Sequence, residues 1–236
     1  MDILQGSFSL IFVTISFILG ILVLLKYFQF KTRDFILVGL SWIGIANAWT
    51  PDAISFIMII FFNTNLSPET SFIIGYSIMP IFLICWLVAF TDLLYEDTQK
   101  LILTISIIFS IIFEIFFFYY LFTDTSLIGV FVGPFQIRWS LFMEFYFLIL
   151  IVILFITGNL FAYHSVKSNN PEIKLKGKFL FAAFNSYLIG SIIEAMFHLE
   201  PITVVITRLI LISSAIEFYL GFITPRRIRH FFLKEE

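Results

Sequence analysis

The sequence has little charge, few histidines and a single cysteine. Charged residues make up 13% of the 236 residues and hydrophobic residues make up 60%, with a mean hydropathy of +1.03. Soluble globular domains carry about 25% charged residues. The composition therefore excludes that class and predicts a polytopic membrane protein with the lipid bilayer as its partner. The single cysteine, Cys85, lies in an apolar run, which excludes an internal disulfide and favours a buried thiol over a nucleophile.

Residues that common membrane enzymes and photoreceptors require are also missing. All eight lysines fall in predicted loops or at predicted helix ends, so the final helix has no lysine for a retinal Schiff base. A zinc hydrolase needs several histidine and acidic ligands, whereas His198 is the one histidine of three that is predicted at depth. The sequence shows no catalytic motif and no glycine-rich phosphate loop. We therefore expect no enzyme activity, no cofactor, no metal site and no nucleic-acid partner.

Seven apolar runs are long enough to cross the hydrocarbon layer of a bilayer, which is about 30 Å thick. They predict an all-α, seven-transmembrane helix bundle that occupies residues 1–236 as one domain of a multi-pass cell-membrane protein. The predicted spans are 7–29, 35–62, 71–94, 101–122, 139–163, 179–198 and 202–223. Residues 224–236 are predicted to form a short basic cytoplasmic tail.

Two kinds of feature interrupt this helical pattern. Pro51 and Pro80 lie inside the second and third spans, and each predicts a kink because proline removes a backbone hydrogen bond. The connection 123–138 contains an apolar stretch from Ser126 to Phe135. That stretch is too short to span a bilayer, so it is predicted to lie at the membrane interface or to fold back over the bundle.

Basic residues are concentrated on one side of the predicted bundle. Twelve of the fourteen Lys and Arg fall at span ends that share a side, whereas Arg138 falls on the other side and Arg208 inside a span. Cytoplasmic loops carry the excess of Lys and Arg, so the N-terminus is predicted outside and the C-terminus inside. Residues 1–5 hold no basic residue and no small-residue cleavage site follows the first run, which predicts an uncleaved first span. The basic residues on the predicted inner side are Lys26, Lys31, Arg33, Lys100, Lys167, Lys174, Lys176, Lys178, Arg226, Arg227, Arg229 and Lys234.

The last two spans form a hairpin that turns at Glu200-Pro201 and carries ionisable residues. Glu194 lies seven residues before Pro201 and Arg208 lies seven residues after it. At about 1.5 Å per helical residue, both side chains lie about 10 Å below the same membrane surface. A matched depth on antiparallel neighbours predicts an ion pair that faces the protein interior, because charged groups avoid lipid.

Together with this pair, the intramembrane ionisable residues fall into two predicted layers. The outer layer holds Asp52, Glu114, Glu144, Glu194, His198 and Arg208, and the inner layer holds Glu217 and Asp92. Four carboxyls at one level cannot all be ionised without compensation. We therefore expect a polar, water-accessible cavity that opens to the outside and binds a proton or a small polar or cationic ligand. The alternative is that these carboxyls are protonated and only form hydrogen bonds that hold neighbouring helices together. This alternative has most weight for Glu217 and Asp92.

Several stretches resemble the seven-helix membrane region that precedes the catalytic domains of some archaeal and bacterial sensor histidine kinases. The run Tyr76–Tyr95, with Pro80 in mid-helix and Trp86 after it, is similar to that family's proline and spaced aromatics. Gly133-Pro134-Phe135, ahead of the aromatic-rich fifth span, is similar as well. The resemblance implies a sensor. Since eleven residues follow Pro225, it also implies a lost output domain or a separate signalling subunit.

These patterns favour a receptor-like sensor whose outer cavity binds a ligand or a proton and whose bundle signals to a cytoplasmic partner. The basic tail is the candidate docking site for that partner, or else a topology determinant at the lipid headgroups. A proton- or cation-conducting transporter or channel is the alternative, and a purely structural membrane protein is the third. A conductor needs a wet path through the inner half, where polar residues are few, and this favours the sensor. The conductor's relay would use Glu114, Glu144, Glu194 and Glu217, whereas the inner half holds Glu217, Asn159, Asp92 and Asn185.

Overall fold

The computed structural model describes residues 2–196 and 201–233. Within these ranges the chain is almost entirely helical, and one short β-hairpin joins two of the helices. The helices are α1 (Asp2–Leu25), α2 (Tyr27–Phe30), α3 (Asp34–Asn47), α4 (Thr50–Phe62), α5 (Pro68–Tyr76), α6 (Met79–Leu94), α7 (Gln99–Thr123), α8 (Leu141–Val166), α9 (Pro171–Met196), α10 (Pro201–Phe222) and α11 (Arg226–Leu233). The strands are β1 (Gly129–Gly133) and β2 (Gln136–Trp139), which pair antiparallel.

The described residues include five helical segments that are long and apolar enough to cross a membrane, and a sixth if α3 and α4 count as one broken span. The five segments are Ile3–Phe30, Pro68–Leu94, Glu96–Thr123, Leu141–Val166 and Ile202–Phe222. These segments confirm the predicted all-α membrane class. The predicted sixth span, 179–198, ends in residues outside the described ranges, so a seventh crossing by α9 stays a prediction.

The contacts divide the chain into two compact units, Met1–Leu150 and Ile151–Glu236. In the first unit, α1 packs against α3 and α4, and α3 packs against α6. Two glycines bring α1 and α3 together, because a Cβ on Gly39 would lie 2.7 Å from the Gly20 carbonyl oxygen. Close backbone approach through small residues is the usual way for apolar helices to associate in lipid.

Both predicted proline kinks are present as helix breaks. The second predicted span is bent by 55° between α3 and α4, just before Pro51, and the third is interrupted between α5 and α6, just before Pro80. Proline cannot donate the backbone hydrogen bond that would continue the preceding turn. Each break therefore leaves backbone carbonyls that must find other donors inside the membrane.

The two breaks bond to each other. The Asn47 side-chain amide donates to the carbonyls of Ile74 and Gly75 at 2.6 and 3.1 Å. In return, the Tyr76 hydroxyl donates to the Ala48 carbonyl at 3.3 Å. Asn47, at the end of α3, thus supplies the hydrogen-bond donor for two backbone carbonyls at the end of α5.

The apolar stretch before the fifth predicted span forms the β-hairpin, which folds back over other parts of the first unit. Its residue Phe135 is buried, and the Phe135 carbonyl accepts a hydrogen bond of 2.9 Å from the Gln5 amide of α1. The Phe131 ring lies 5.6 Å from the Phe72 ring of α5. The prediction that this stretch folds back over the bundle therefore holds within the first unit, whereas its strand pairing was not predicted.

The second unit is built on the antiparallel pair α9 and α10. Phe184 and Phe218 are both buried, and their rings meet edge to face at 6.0 Å. The part of α8 within this unit contributes Asn159, whose side-chain oxygen accepts a 2.8 Å hydrogen bond from Asn185 of α9. Such amide pairs hold apolar helices together where no water competes.

Candidate functional site

Glu194 and Arg208 form the ion pair that their matched depth predicts. Arg208 Nη1 donates to Glu194 Oε2 at 2.8 Å, and Nη2 donates to Oε1 at 2.9 Å, so the contact is bidentate. Arg208 is only 1% exposed. A fork-to-fork contact of this kind is the strongest arrangement available to a guanidinium and a carboxylate, and it explains how α10 buries a permanent charge.

The predicted outer layer contains a second polar cluster, which the sequence did not single out as a unit. Ser110 Oγ, Glu114 Oε2 and Tyr146 Oη are all buried, and none of them has a hydrogen-bond partner among the described residues. Ser110 and Glu114 are four residues apart on α7, which places them on one face. Glu114 also acts electrostatically on the Tyr146 phenol. Helices α7 and α8, which meet where Tyr146 stacks on Phe113, therefore carry three unsatisfied oxygens between them.

Aromatic packing fixes the position of Tyr146 in this cluster. Its ring is stacked on Phe113, with 3.5 Å between the ring centroids, and lies 5.8 Å from Phe109. Tyr146 is 3% exposed. The ring cannot swing out to reach water without breaking these stacks, so the hydroxyl stays beside α7 with its hydrogen-bonding capacity unused. Buried polar groups without partners are uncommon and costly.

The other outer-layer residues have different surroundings. Asp52 accepts a long hydrogen bond of 3.5 Å from Ser9 of α1, whereas Glu144 is exposed at the start of α8. His198 lies outside the described residues. Asp52, Glu114 and Glu144 belong to the first unit, and Glu194 and Arg208 to the second. The cavity that the sequence predicts would draw on both units, and it stays a prediction.

Asp92, assigned to the inner layer, has a counter-charge that was not predicted. Arg33 donates to it through Nε at 2.9 Å and through Nη2 at 2.8 Å. Gln99 adds a third hydrogen bond of 2.6 Å. Arg33 precedes the second span and Asp92 lies at the end of the third, on the same predicted side of the membrane. This shared position is the feature of the sequence from which the pair could have been predicted. Asp92 is thus paired with an arginine and a glutamine close to the helix ends, and its assignment to an inner relay stays a prediction.

Glu217 and Glu172 complete the acidic contacts of the second unit. Ser213 donates to Glu217 Oε1 at 2.9 Å, whereas Glu217 Oε2 is buried with no hydrogen-bond partner in the described part of the chain. Glu172 contacts Lys176 and Arg229, each at 3.2 Å. Hydrogen bonds from Lys176 and then Arg229 stabilise the carboxylate, which lowers the pKa of Glu172 below its usual range.

Comparison of this chain with protein-family models, with curated proteins and with solved structures gives no match. The resemblance to the membrane region of sensor kinases therefore rests on the residues that carry it and stays a prediction. The side-chain geometry supplies the argument for function.

Proposed function

We propose that the protein is a seven-span, receptor-like sensor of the cell membrane, with its N-terminus outside, its C-terminus inside and its output passed to a separate partner. The cluster of Ser110, Glu114 and Tyr146 on α7 and α8 would be its sensing site, in the outer half of the bundle. The observation that carries this proposal is that all three oxygens are buried and unsatisfied. The excess of basic residues on one side supports the orientation.

The chemistry of the cluster limits what it would bind. Charging a buried carboxyl is costly unless a proton, a cation or a donor compensates it. The phenol and hydroxyl groups of Tyr146 and Ser110 each donate one hydrogen bond and also accept. A proton on Glu114, or a small ligand that presents a donor or a positive charge, would meet these requirements. Either occupant would change the charge balance between α7 and α8, and would thereby favour one packing arrangement over another.

Pairing of the inner polar groups argues against a conduction path. Asp92 is bonded to Arg33 and Gln99, and Asn159 is bonded to Asn185. A proton or cation relay requires groups that bind weakly enough to release their cargo, whereas these groups satisfy one another. One observation favours the alternative conductor, namely the unsatisfied Glu217 Oε2 in the predicted inner half.

Infrared difference spectroscopy of the protein in lipid, recorded between acidic and neutral pH, tests the proposal. Protonation of Glu114 should produce a carboxyl C=O band that Glu114→Gln removes and that Tyr146→Phe shifts, because Glu114 acts electrostatically on the Tyr146 phenol. Glu69→Gln is the matched control, since Glu69 is exposed and its loss should leave that band unchanged. If the Glu114 band is absent at both pH values and no small cation perturbs the carboxylate bands, the sensing site is wrong.

Proton flux in liposomes separates the sensor from the conductor. We expect no flux above that of empty liposomes for the intact protein. A flux that Glu217→Gln abolishes would instead establish the conductor.

A further inference from the structure

The C-terminal helix α11 has a surface that the contacts within its unit leave open. Three residues separate it from the end of α10, and α10 supplies one of the segments able to cross a membrane. Arg226 and Arg227 are exposed. Phe231 is 78% exposed and Phe232 is 53% exposed. Two aromatic rings thus lie open beside two cations, close to the end of a membrane-spanning helix.

Contacts with α9 set the orientation of α11. Arg229 Nη1 bonds to Glu172 Oε2 at 3.2 Å, and the Phe232 ring meets the Phe179 ring edge to face at 5.7 Å. These two contacts occupy one side of the helix. Phe231 takes part in neither contact, so α11 is fixed against α9 in a way that turns Phe231 outward.

The spacing of residues on α11 is that of a helix lying in a membrane surface. Ile228, Phe231 and Phe232 form one apolar sector at helical spacing, and Arg227 and Arg229 flank it on either side. Arginine in that position extends its apolar stem along the sector while its guanidinium reaches the headgroup layer. Since α11 closely follows α10, which is able to cross a membrane, its apolar sector is within reach of the bilayer surface, where acyl chains meet headgroups.

We propose that α11 binds anionic lipid headgroups through Arg226 and Arg227, while Phe231 inserts among the acyl chains next to them. Two observations select this occupant. The exposed charges are cationic and therefore complementary to anionic headgroups. Only three residues separate the helix from a segment able to cross a membrane, so a bilayer surface would lie beside it. The contact between Arg229 and Glu172 neutralises the third arginine and holds the helix in the orientation that binding requires.

The test uses the full-length protein in nanodiscs, with Cys85→Ser as background and a bimane label on Phe231→Cys. Quenching by lipids with spin-labelled acyl chains reports insertion, and quenching by aqueous iodide reports exposure. In bilayers that contain phosphatidylglycerol, we expect strong lipid quenching and weak iodide quenching. In pure phosphatidylcholine we expect weaker quenching by the spin-labelled lipids and stronger quenching by iodide.

Removal of the two free charges gives the decisive comparison. Arg226→Gln with Arg227→Gln should lower the ratio of inserted to released helix by about thirtyfold in anionic bilayers, since each cation near the surface contributes about a factor of five. The matched control is Lys174→Gln with Lys178→Gln, which removes the same charge from exposed positions of α9 and should leave the ratio unchanged. High salt should also lower the ratio of inserted to released helix when both arginines are present, because salt screens their attraction to the headgroups. This second measurement tests the proposal even if the arginine variant folds poorly.

Three outcomes would overturn the proposal. The label could be equally inserted in both lipid compositions, or the two double variants could behave alike. The label could also stay exposed to iodide in anionic bilayers and become protected only when an acidic soluble protein is added, which would identify α11 as a protein-docking helix instead.

Discussion

At the scale of single residues, Arg208 is a charged side chain that is almost fully buried. A guanidinium does not deprotonate in proteins, so burying one commits the surrounding residues to supplying acceptors. Glu194 supplies both of its carboxylate oxygens. The same logic does not apply to Glu114, since a carboxyl can accept a proton and become neutral. A permanent charge therefore indicates a structural pair, whereas an unsatisfied carboxyl indicates a site that can change its state.

A double-substitution cycle tests the pair. Glu194→Gln and Arg208→Gln should each lower the melting temperature in detergent. The loss should approach about 3–5 kcal/mol in the free energy of unfolding for Glu194→Gln, because Arg208 is buried, and should be smaller for Arg208→Gln, because Glu194 is partly exposed and can accept a proton. The double substitution should recover part of that loss. Strictly additive losses would show that the two residues do not interact. As a control, Lys176→Gln breaks a partly exposed contact with Glu172 and should cost about 1 kcal/mol or less.

At the scale of elements, the broken helices show how the bilayer constrains backbone chemistry. A break in a soluble helix exposes carbonyls to water, whereas a break inside a membrane must be satisfied by another part of the protein. The breaks before Pro51 and Pro80 meet this requirement through Asn47 and Tyr76. The two helix breaks are therefore joined by hydrogen bonds between the ends of α3 and α5.

Asn47→Ala tests this contact between the breaks. The substitution leaves the carbonyls of Ile74 and Gly75 without their side-chain donor, which should cost about 1–3 kcal/mol in the free energy of unfolding. The melting temperature in detergent is the measurement. Asn65→Ala is the matched control. The hydrogen bond from the Asn65 side-chain amide to the Pro134 carbonyl is exposed, so water can replace it in the variant. Equal effects of the two substitutions would contradict a role for Asn47 in the breaks.

The contact between α3 and α6 gives a second prediction at this scale. A Cβ on Gly44 would overlap the side chain of Phe82, so Gly44→Ala forces the two helices apart. Overpacking of this kind costs about 1–3 kcal/mol, which thermal unfolding in detergent would detect. Gly133→Ala is the control, since its Cβ would meet nothing closer than 3.7 Å. Adding Phe82→Ala to Gly44→Ala should restore part of the stability, and no recovery would show that the strain lies elsewhere.

At the scale of the whole molecule, the predicted seven-span topology places each connection on a defined side of the membrane. Cysteines introduced at Asn65 and Lys174, in a Cys85→Ser background, should react with an impermeant reagent from opposite sides of sealed vesicles. The distribution of basic residues predicts Asn65 outside and Lys174 inside. Both side chains are exposed, so access does not limit the reaction. Labelling of both from the same side would contradict the seven-span topology.

Some features follow from the sequence alone, because they depend on local geometry. Composition determines the membrane class, and Pro51 and Pro80 determine where helices break, since proline acts on its own turn. The pair of Glu194 and Arg208 is predictable for the same reason, because few residues separate the two helices in the sequence, which favours antiparallel neighbours, and a fixed rise per residue matches their depths.

Other features are decided only by tertiary structure. The contact of Asn47 with Ile74, the ion pair of Arg33 with Asp92, and the cluster of Glu114 with Tyr146 all depend on which faces of separate helices meet. Helical spacing says which residues share a face, but not how each helix is rotated against its neighbours. The β-hairpin is a similar case, because its strands are stabilised by packing of Phe131 on Phe72. That packing exists only once α5 and the hairpin are in place.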